Sequence, residues 1–341
     1  MRLRAWMVGL VALATFAAMP GTHARALDET APAKRTNEFA KYVPEKSEFY
    51  VHINVPKLFT SEMVRKTVPM ALDKYSDQIV QMVGMAKMFN PQMPDVPEEQ
   101  IKDGLKKASD PTEIAKAFDA IKGFVTDIVI AGSAPHGDVP EMIMLIKCAL
   151  ITPEGADMLA TVAGNNPQVP IQKVKKSGGN LYVVSPPGQD QKVYMSVPEK
   201  GILQISFSED LAEAGFVHQS KPGEKLAAMM GKRGTDDFVF VAAVGNDHAD
   251  YTSMAFNIGL DKDISGKGEV EFKDAEKAAE AAAEANKHLG ELAEQIDGML
   301  GDKGGDLKAK MADTKAKADG KKVTASLSIP GKIFEELLKK K

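Results

Sequence analysis

The chain has one cysteine, Cys148, in 341 residues, so no internal disulfide can form, whatever the compartment. The fold must hold by its cores alone. Cys148 lies within "MIMLIKCALI", an apolar run that reads as a buried strand, and the expectation is an inert core thiol. A redox or metal-binding thiol needs basic, partly exposed surroundings. Catalytic signatures are missing as well. There is no G-x-S-x-G elbow, no H-E-x-x-H, no C-x-x-C, no P-loop and no G-x-G-x-x-G after a strand, which removes the motif-bearing hydrolases, zinc proteases, thiol oxidoreductases and nucleotide binders. The glycines of "KSGGN" and "GDKGGD" have no helix start behind them to receive a phosphate, so they read as turn and linker.

Long apolar runs are also scarce, apart from one at the start. Arg2 and Arg4 precede "AWMVGLVALATFAAM", Pro20 and Gly21 break it, and Ala24-Arg25-Ala26 supplies a small-x-small cleavage pattern. Residues 1–26 therefore read as a secretory signal peptide with Leu27 as the mature start. The run is shorter than the roughly 20 residues that span hydrocarbon. No adjacent arginine pair points to the twin-arginine route, and no cysteine near the cleavage point can carry a lipid. A periplasmic or secreted protein is expected, with no transmembrane span after cleavage. Removing 1–26 takes away three arginines and no acid, leaving 40 basic against 47 acidic residues and a net charge of −7. That balance excludes a nucleic-acid partner, whose binding depends on basic patches.

What is present reads as α+β. Residues 27–42 are polar and aperiodic and are expected to be a flexible leader. Thereafter Phe49, Val51 and Ile53 alternate with Tyr50, His52 and Asn54, and Leu203, Ile205 and Phe207 alternate with Gln204, Ser206 and Ser208, each pattern that of a half-buried strand. Both are entered through Val-Pro-Glu-Lys, at 43–46 and 197–200. In the first stretch a helix-prone segment, strands at 125–134 and 142–151, a helix begun by Thr152 and Pro153, and a hairpin turning at 177–180 follow. In the second come "LAEAGFVHQ", a strand at 236–245, "GEVEF", a helix capped by Asp274, and a hairpin turning at Asp319-Gly320. The expectation is two tandem related units, 43–196 and 197–341, each a mainly antiparallel sheet with helices on one face. The first carries a helical insertion over 60–123, with Asp110 capping a helix from Pro111. The second carries a long helix over 275–300, whose front stripe is alanine and which is expected to lie on the sheet.

Three groups of side chains are candidates for chemistry. Met82, Met85 and Met88 stand at helical threes, and flexible thioethers suit an adaptable hydrophobic groove, a plain core or a cuprous site. "DKDISGKGEVEF", Asp261 to Phe272, begins like an EF-hand loop with Asp261 and Asp263 at ligand positions, but Phe272 stands where a bidentate glutamate is required. Asp247, His248 and Asp250 follow a strand end and offer a second set of divalent-metal ligands, calcium or another ion; no organic cofactor is expected.

The cleavable leader, Val-Pro-Glu-Lys before a strand, "EVEFKDAEKAAEAAAEA" and the final "DGKKVTASLSIPGKIFEELLKK" resemble exported bacterial proteins built from a duplicated α+β unit. That resemblance implies a fold and no reaction. The leading expectation is a non-enzymatic envelope protein, binding or structural, whose partner is a hydrophobic peptide, a lipid or a protein surface. The alternative is a metal-dependent enzyme or metal carrier using the tract at 246–250.

Overall fold

In the computed structural model the alternation at residue 49 becomes β1 (Phe49–Asn54), which runs into the helical insertion: α1 (Val55–Thr60), α2 (Glu62–Lys74), α3 (Ser76–Phe89), α4 (Glu98–Ala108) and α5 (Pro111–Ile121). The structure describes residues 38–89, 96–133, 141–164, 171–185, 191–217, 221–234, 236–247, 249–300 and 315–339. Asp110 caps α5, its carboxylate accepting from Thr112 N at 2.7 Å, as the sequence predicts. The segment from Leu72 to Phe89 belongs to two helices, because the chain leaves helical geometry at Tyr75, one residue past the end of the Pro69-containing α2.

β2 (Val125–Gly132) and β3 (Met142–Cys148) lead to α6 (Pro153–Gly164) and the hairpin β4 (Ile171–Lys176) and β5 (Gly179–Val184). Next come β6 (Val193–Glu199), β7 (Ile202–Ser206), α7 (Glu209–Val217), α8 (Glu224–Met230), β8 (Val239–Val244), β9 (Tyr251–Leu260) and β10 (Ile264–Phe272). The chain ends with α9 (Ala275–Leu300), the hairpin β11 (Ala316–Asp319) and β12 (Lys322–Ile329), and α10 (Lys332–Lys339). Thr152 and Asp274 cap α6 and α9 by accepting from Gly155 N and Lys277 N. The last hairpin closes over Gly320-Lys321, and Gly320 has φ 56°, a left-handed conformation that costs glycine nothing.

Among the described residues all the strands belong to one antiparallel sheet of 12 strands, ordered β11-β12-β10-β9-β8-β1-β2-β3-β7-β6-β5-β4. It is continuous through the boundary expected at 196/197, which falls inside β6. The two Val-Pro-Glu-Lys strands differ in their surroundings: β1 pairs with β2 and β8, whereas β7 pairs with β3 and β6. The first phrase is a turn leading to β1, while the second ends β6 and turns into β7. Shared turn chemistry is what the two have in common. Counting outward from the β1–β8 pair, one side runs β1, β2, β3, then β5 and β4 beyond the β6–β7 pair; the other runs β8, β9, β10, β12, β11.

Helices pack on both faces, where one was expected. One face carries the main core: Tyr50, Val129, Ile143, Leu145, Phe240 and Ala242 from the strands meet Leu226 and Met230 of α8 and the chain entering β1. In that entering chain Phe39 and Tyr42 are buried, so the end of the expected leader is a strap across the core. Each large side chain so enclosed stabilises the fold by about 1.5–3 kcal/mol. Cys148 is buried too, and burial pushes its thiol pKa up, the condition of an inert thiol. The opposite face carries α6 at one end and α9 at the other. Ala278 and Ala282 of α9 pack on Ala316 and Val323, and Asn286 exchanges two hydrogen bonds with the Ala316 backbone at 2.9 and 2.8 Å. Among the described residues no helix is long and apolar enough to cross a membrane.

Candidate functional site

A pleated sheet lines up side chains of one face in rows across the strands. In the middle of this sheet, on the α6/α9 face, the central row is Phe256, Val241, Val51, Ile130, Met144 and Ile205. Beside it on one side run Ile258, Val239, Ile53, Ile128, Ile146 and Leu203, and on the other Met254, Ala243, Phe49, Gly132 and Met142. No polar side chain interrupts these rows. With strands about 4.8 Å apart and about 3.3 Å per residue, the floor measures roughly 24 by 13 Å.

The floor is half-buried. Ile146, Ala243 and Gly132 are enclosed, and the rest of the three rows retain solvent contact. Of the helices in contact with the central strands, α7 and α8 lie on the other face, where Leu226 and Met230 reach the core and Gln204 Nε2 donates to Leu211 O at 2.7 Å, and α1, which follows β1, contacts β2. Gly268, just beyond the floor on β10, lets the Phe256 ring lie flat, since a Cβ there would collide with that ring.

The same strands hold their polar side chains inside. On β1 the buried residues are Tyr50, His52 and Asn54, and on β7 they are Ile202, Gln204 and Ser206. His52 Nε2 donates to Asp127 Oδ1 at 2.8 Å, with both side chains almost wholly enclosed, and Ser206 Oγ donates to Met142 O at 3.2 Å. Buried polar groups on one face together with a large apolar surface on the other that keeps partial solvent contact depart from the usual arrangement, and that departure is the informative feature.

The flank beside α6 is fixed by Asp157. Its carboxylate accepts from Lys173 Nζ at 2.8 Å, Asn180 Nδ2 at 3.0 Å and the Tyr182 hydroxyl at 2.5 Å. Lys173, then Tyr182, hold the Asp157 carboxyl below the usual range. A lowered folded pKa means the tie is intact above the unfolded value of about 3.9 and is lost as pH falls through the folded value. Amide exchange in α6 is therefore expected to accelerate selectively below about pH 4, and Asp157→Asn should weaken the anchor at neutral pH. Exchange in α6 that keeps pace with the rest of the chain in both experiments would remove Asp157 from this role.

The sequence candidates lie elsewhere. Met82 is 55% exposed on α3, while Val80 beside it is buried; Met85 and Met88 share that helix, and their side chains fall outside the described residues. Helix α3 packs on its neighbours α2 and α4, within the insertion. Asp247 and Asp250 are exposed in the β8–β9 connection, and His248 falls outside the described residues. Asp261 and Asp263 form the β9–β10 turn, at the other end of the ten-residue β9, so the two acidic groups stand roughly 30 Å apart. Among the described residues no group of three or more His, Cys, Asp and Glu is placed to hold a metal ion. The later part of the EF-hand-like stretch, from Ile264, is strand β10. The turn instead fastens other elements: Asp261 O accepts from Ser61 Oγ and Met63 N, and Asp263 Oδ1 accepts from Gly331 N at 2.9 Å.

No protein-family model matches this chain. No curated protein matches it in sequence. Among solved structures the chain is similar to TP0453 in its crystal form III, with TM-score 0.42 and 9% identity over 88% of this chain and 96% of that one, and in its crystal form I, with TM-score 0.38 and 8% identity over the same shares.

Proposed function

We propose that this chain is an exported, non-enzymatic binding protein of the cell envelope that carries a lipid, its aliphatic chain lying on the apolar floor between α6 and α9. One observation carries the reading: three adjoining rows of apolar side chains, most of which keep partial solvent contact, cover one face of strands whose opposite face encloses His52, Asn54, Asp127, Gln204 and Ser206. An aliphatic chain is favoured over a peptide because the floor has no polar side chain. A peptide laid there would bury its N–H and C=O groups without partners, at a cost of about 1–3 kcal/mol per group. Export is supported by the basic, apolar and Ala-x-Ala pattern of residues 1–26.

We propose also that the chain is built of two related halves, with β1, β2, β3, α6, β4 and β5 corresponding to β8, β9, β10, α9, β11 and β12. This is supported by the shared path outward from the β1–β8 pair. In that pair Val51 faces Val241, which puts the middle of the floor at the seam between the halves.

The lipid reading is tested by titrating the purified protein with a fluorescent fatty acid. Val51→Asn combined with Ile130→Asn should weaken binding by roughly tenfold or more, since each amide must be desolvated beneath the chain. Replacing Met82, Met85 and Met88 together by Gln should leave it unchanged. Loss of binding in the methionine variant with retention in the floor variant would move the site to the helical insertion.

A further inference from the structure

We propose that the polar half of the α7/α8 face binds a phosphate-bearing ligand through Lys267, Lys315 and Lys317. Beyond β9 the side chains of this face turn from apolar to polar. A cleft of about 710 Å³ opens there, lined by Lys232, Asn257, Lys267, Lys315, Lys317 and Ser326 among others. Strand register gives its layout. Asn257, Lys267 and Ser326 form one row, with Lys315 just past the point where Ala316 faces Ala325. The next row is Ala255, Glu269, Thr324 and Lys317. Lys267 and Lys315 thus stand on either side of the Ser326 hydroxyl, and Lys317 rises beside Thr324.

Glu269 in the cleft and Asp237 beside it are already engaged, while Glu271 and Asp319 stand one row further along the same face. Glu269 accepts from Lys232 and from Lys322 Nζ, and those two ammonium groups hold its carboxyl below the usual range. Asp237 accepts from Gly234 N and Asn257 Nδ2. Lys267, Lys315 and Lys317 have no carboxylate partner among the described residues. Three like charges gathered in an acidic chain repel one another, and an anion carrying more than one charge relieves all three. A phosphate group offers that charge together with several acceptor oxygens for the ammonium groups and for the Ser326 and Thr324 hydroxyls. A lone carboxylate has fewer of both. Lysines on an edge strand also deter sheet-to-sheet pairing, which would account for Lys317 on β11. It does not account for Lys267, because β10 is paired on both sides.

The test uses the full chain at low ionic strength. Calorimetric titrations with inorganic phosphate and with pyrophosphate form one arm; co-sedimentation with phosphatidylglycerol vesicles, against phosphatidylcholine vesicles, forms the other. Saturable binding in either arm, weakened at least roughly tenfold by K267Q/K315Q/K317Q and unaffected by K106Q/K107Q on α4, supports the site. Binding confined to the first arm identifies a soluble phosphate ligand, and binding confined to phosphatidylglycerol identifies a lipid headgroup. Absence of saturable binding in both arms, or equal affinity in the triple variant with an unchanged melting temperature, overturns it. The fatty-acid titration reads the opposite face, so failure here and failure of the lipid reading are separable.

Discussion

Asp127→Ala is expected to cost about 3–5 kcal/mol of folding stability, which would unfold much of a marginally stable protein. The cost comes from what remains. His52 is 1% exposed and would keep its place under the Phe39 ring, whose centroid is 6.1 Å away, without the carboxylate that accepts from Nε2. Replacing both residues by Leu should cost less than the two single changes added together, because the double change removes the buried charge that either single change leaves without its partner in this bond. Urea unfolding of the single and double variants measures this coupling. A cost below about 1 kcal/mol for Asp127→Ala would mean that the pair does not fasten β1 to β2 as the geometry implies.

The second large effect separates two neighbouring residues. Phe240→Ala should cost about 3–5 kcal/mol, since the ring is fully enclosed, packs near Tyr50 at 6.3 Å between centroids, and leaves a cavity in the main core. Val241→Ala, one residue along and on the floor, should cost less, about 1–1.5 kcal/mol, because it removes only two methyl groups from a side chain that keeps partial solvent contact. Equal costs would mean that the floor is as enclosed as the core.

Local features of the fold were legible because each rests on a few neighbouring residues. Asp110, Thr152 and Asp274 cap helices where the sequence puts them. The hairpins at 171–184 and 316–329 turn near their glycines, though the second closes one residue later than Asp319-Gly320 suggests. The alanine stripe of α9 lies on the sheet. Alternation in β1 was equally plain, and it divides the strand into two faces. Which face would be covered was not in the strand at all: the cover comes from Phe39, Tyr42, Leu226 and Met230, distant in sequence from β1 or off its pattern. Hydrophobicity points to Phe49, Val51 and Ile53 as the inner set, yet the inner set is Tyr50, His52 and Asn54.

Repetition misled for a related reason. Val-Pro-Glu-Lys is a four-residue turn phrase, and strand neighbours are set by pairings across the whole chain. β9 has no place in the order of elements read from the second stretch, which passes from the strand at 236–245 directly to "GEVEF". The candidate site was hidden more deeply, since its rows draw on six strands between Phe49 and Ile258. The methionines at 82, 85 and 88 attract attention through local spacing. The floor has no local spacing to find.

Photolabelling with a diazirine-bearing fatty acid, followed by peptide mapping, examines the floor directly. Adducts should concentrate in the peptides containing Val51, Ile130, Val241 and Phe256, and should fall away when Val51 and Ile130 are both replaced by Asn. Labelling concentrated in α3, or spread over the chain without saturation, would contradict a lipid-binding floor.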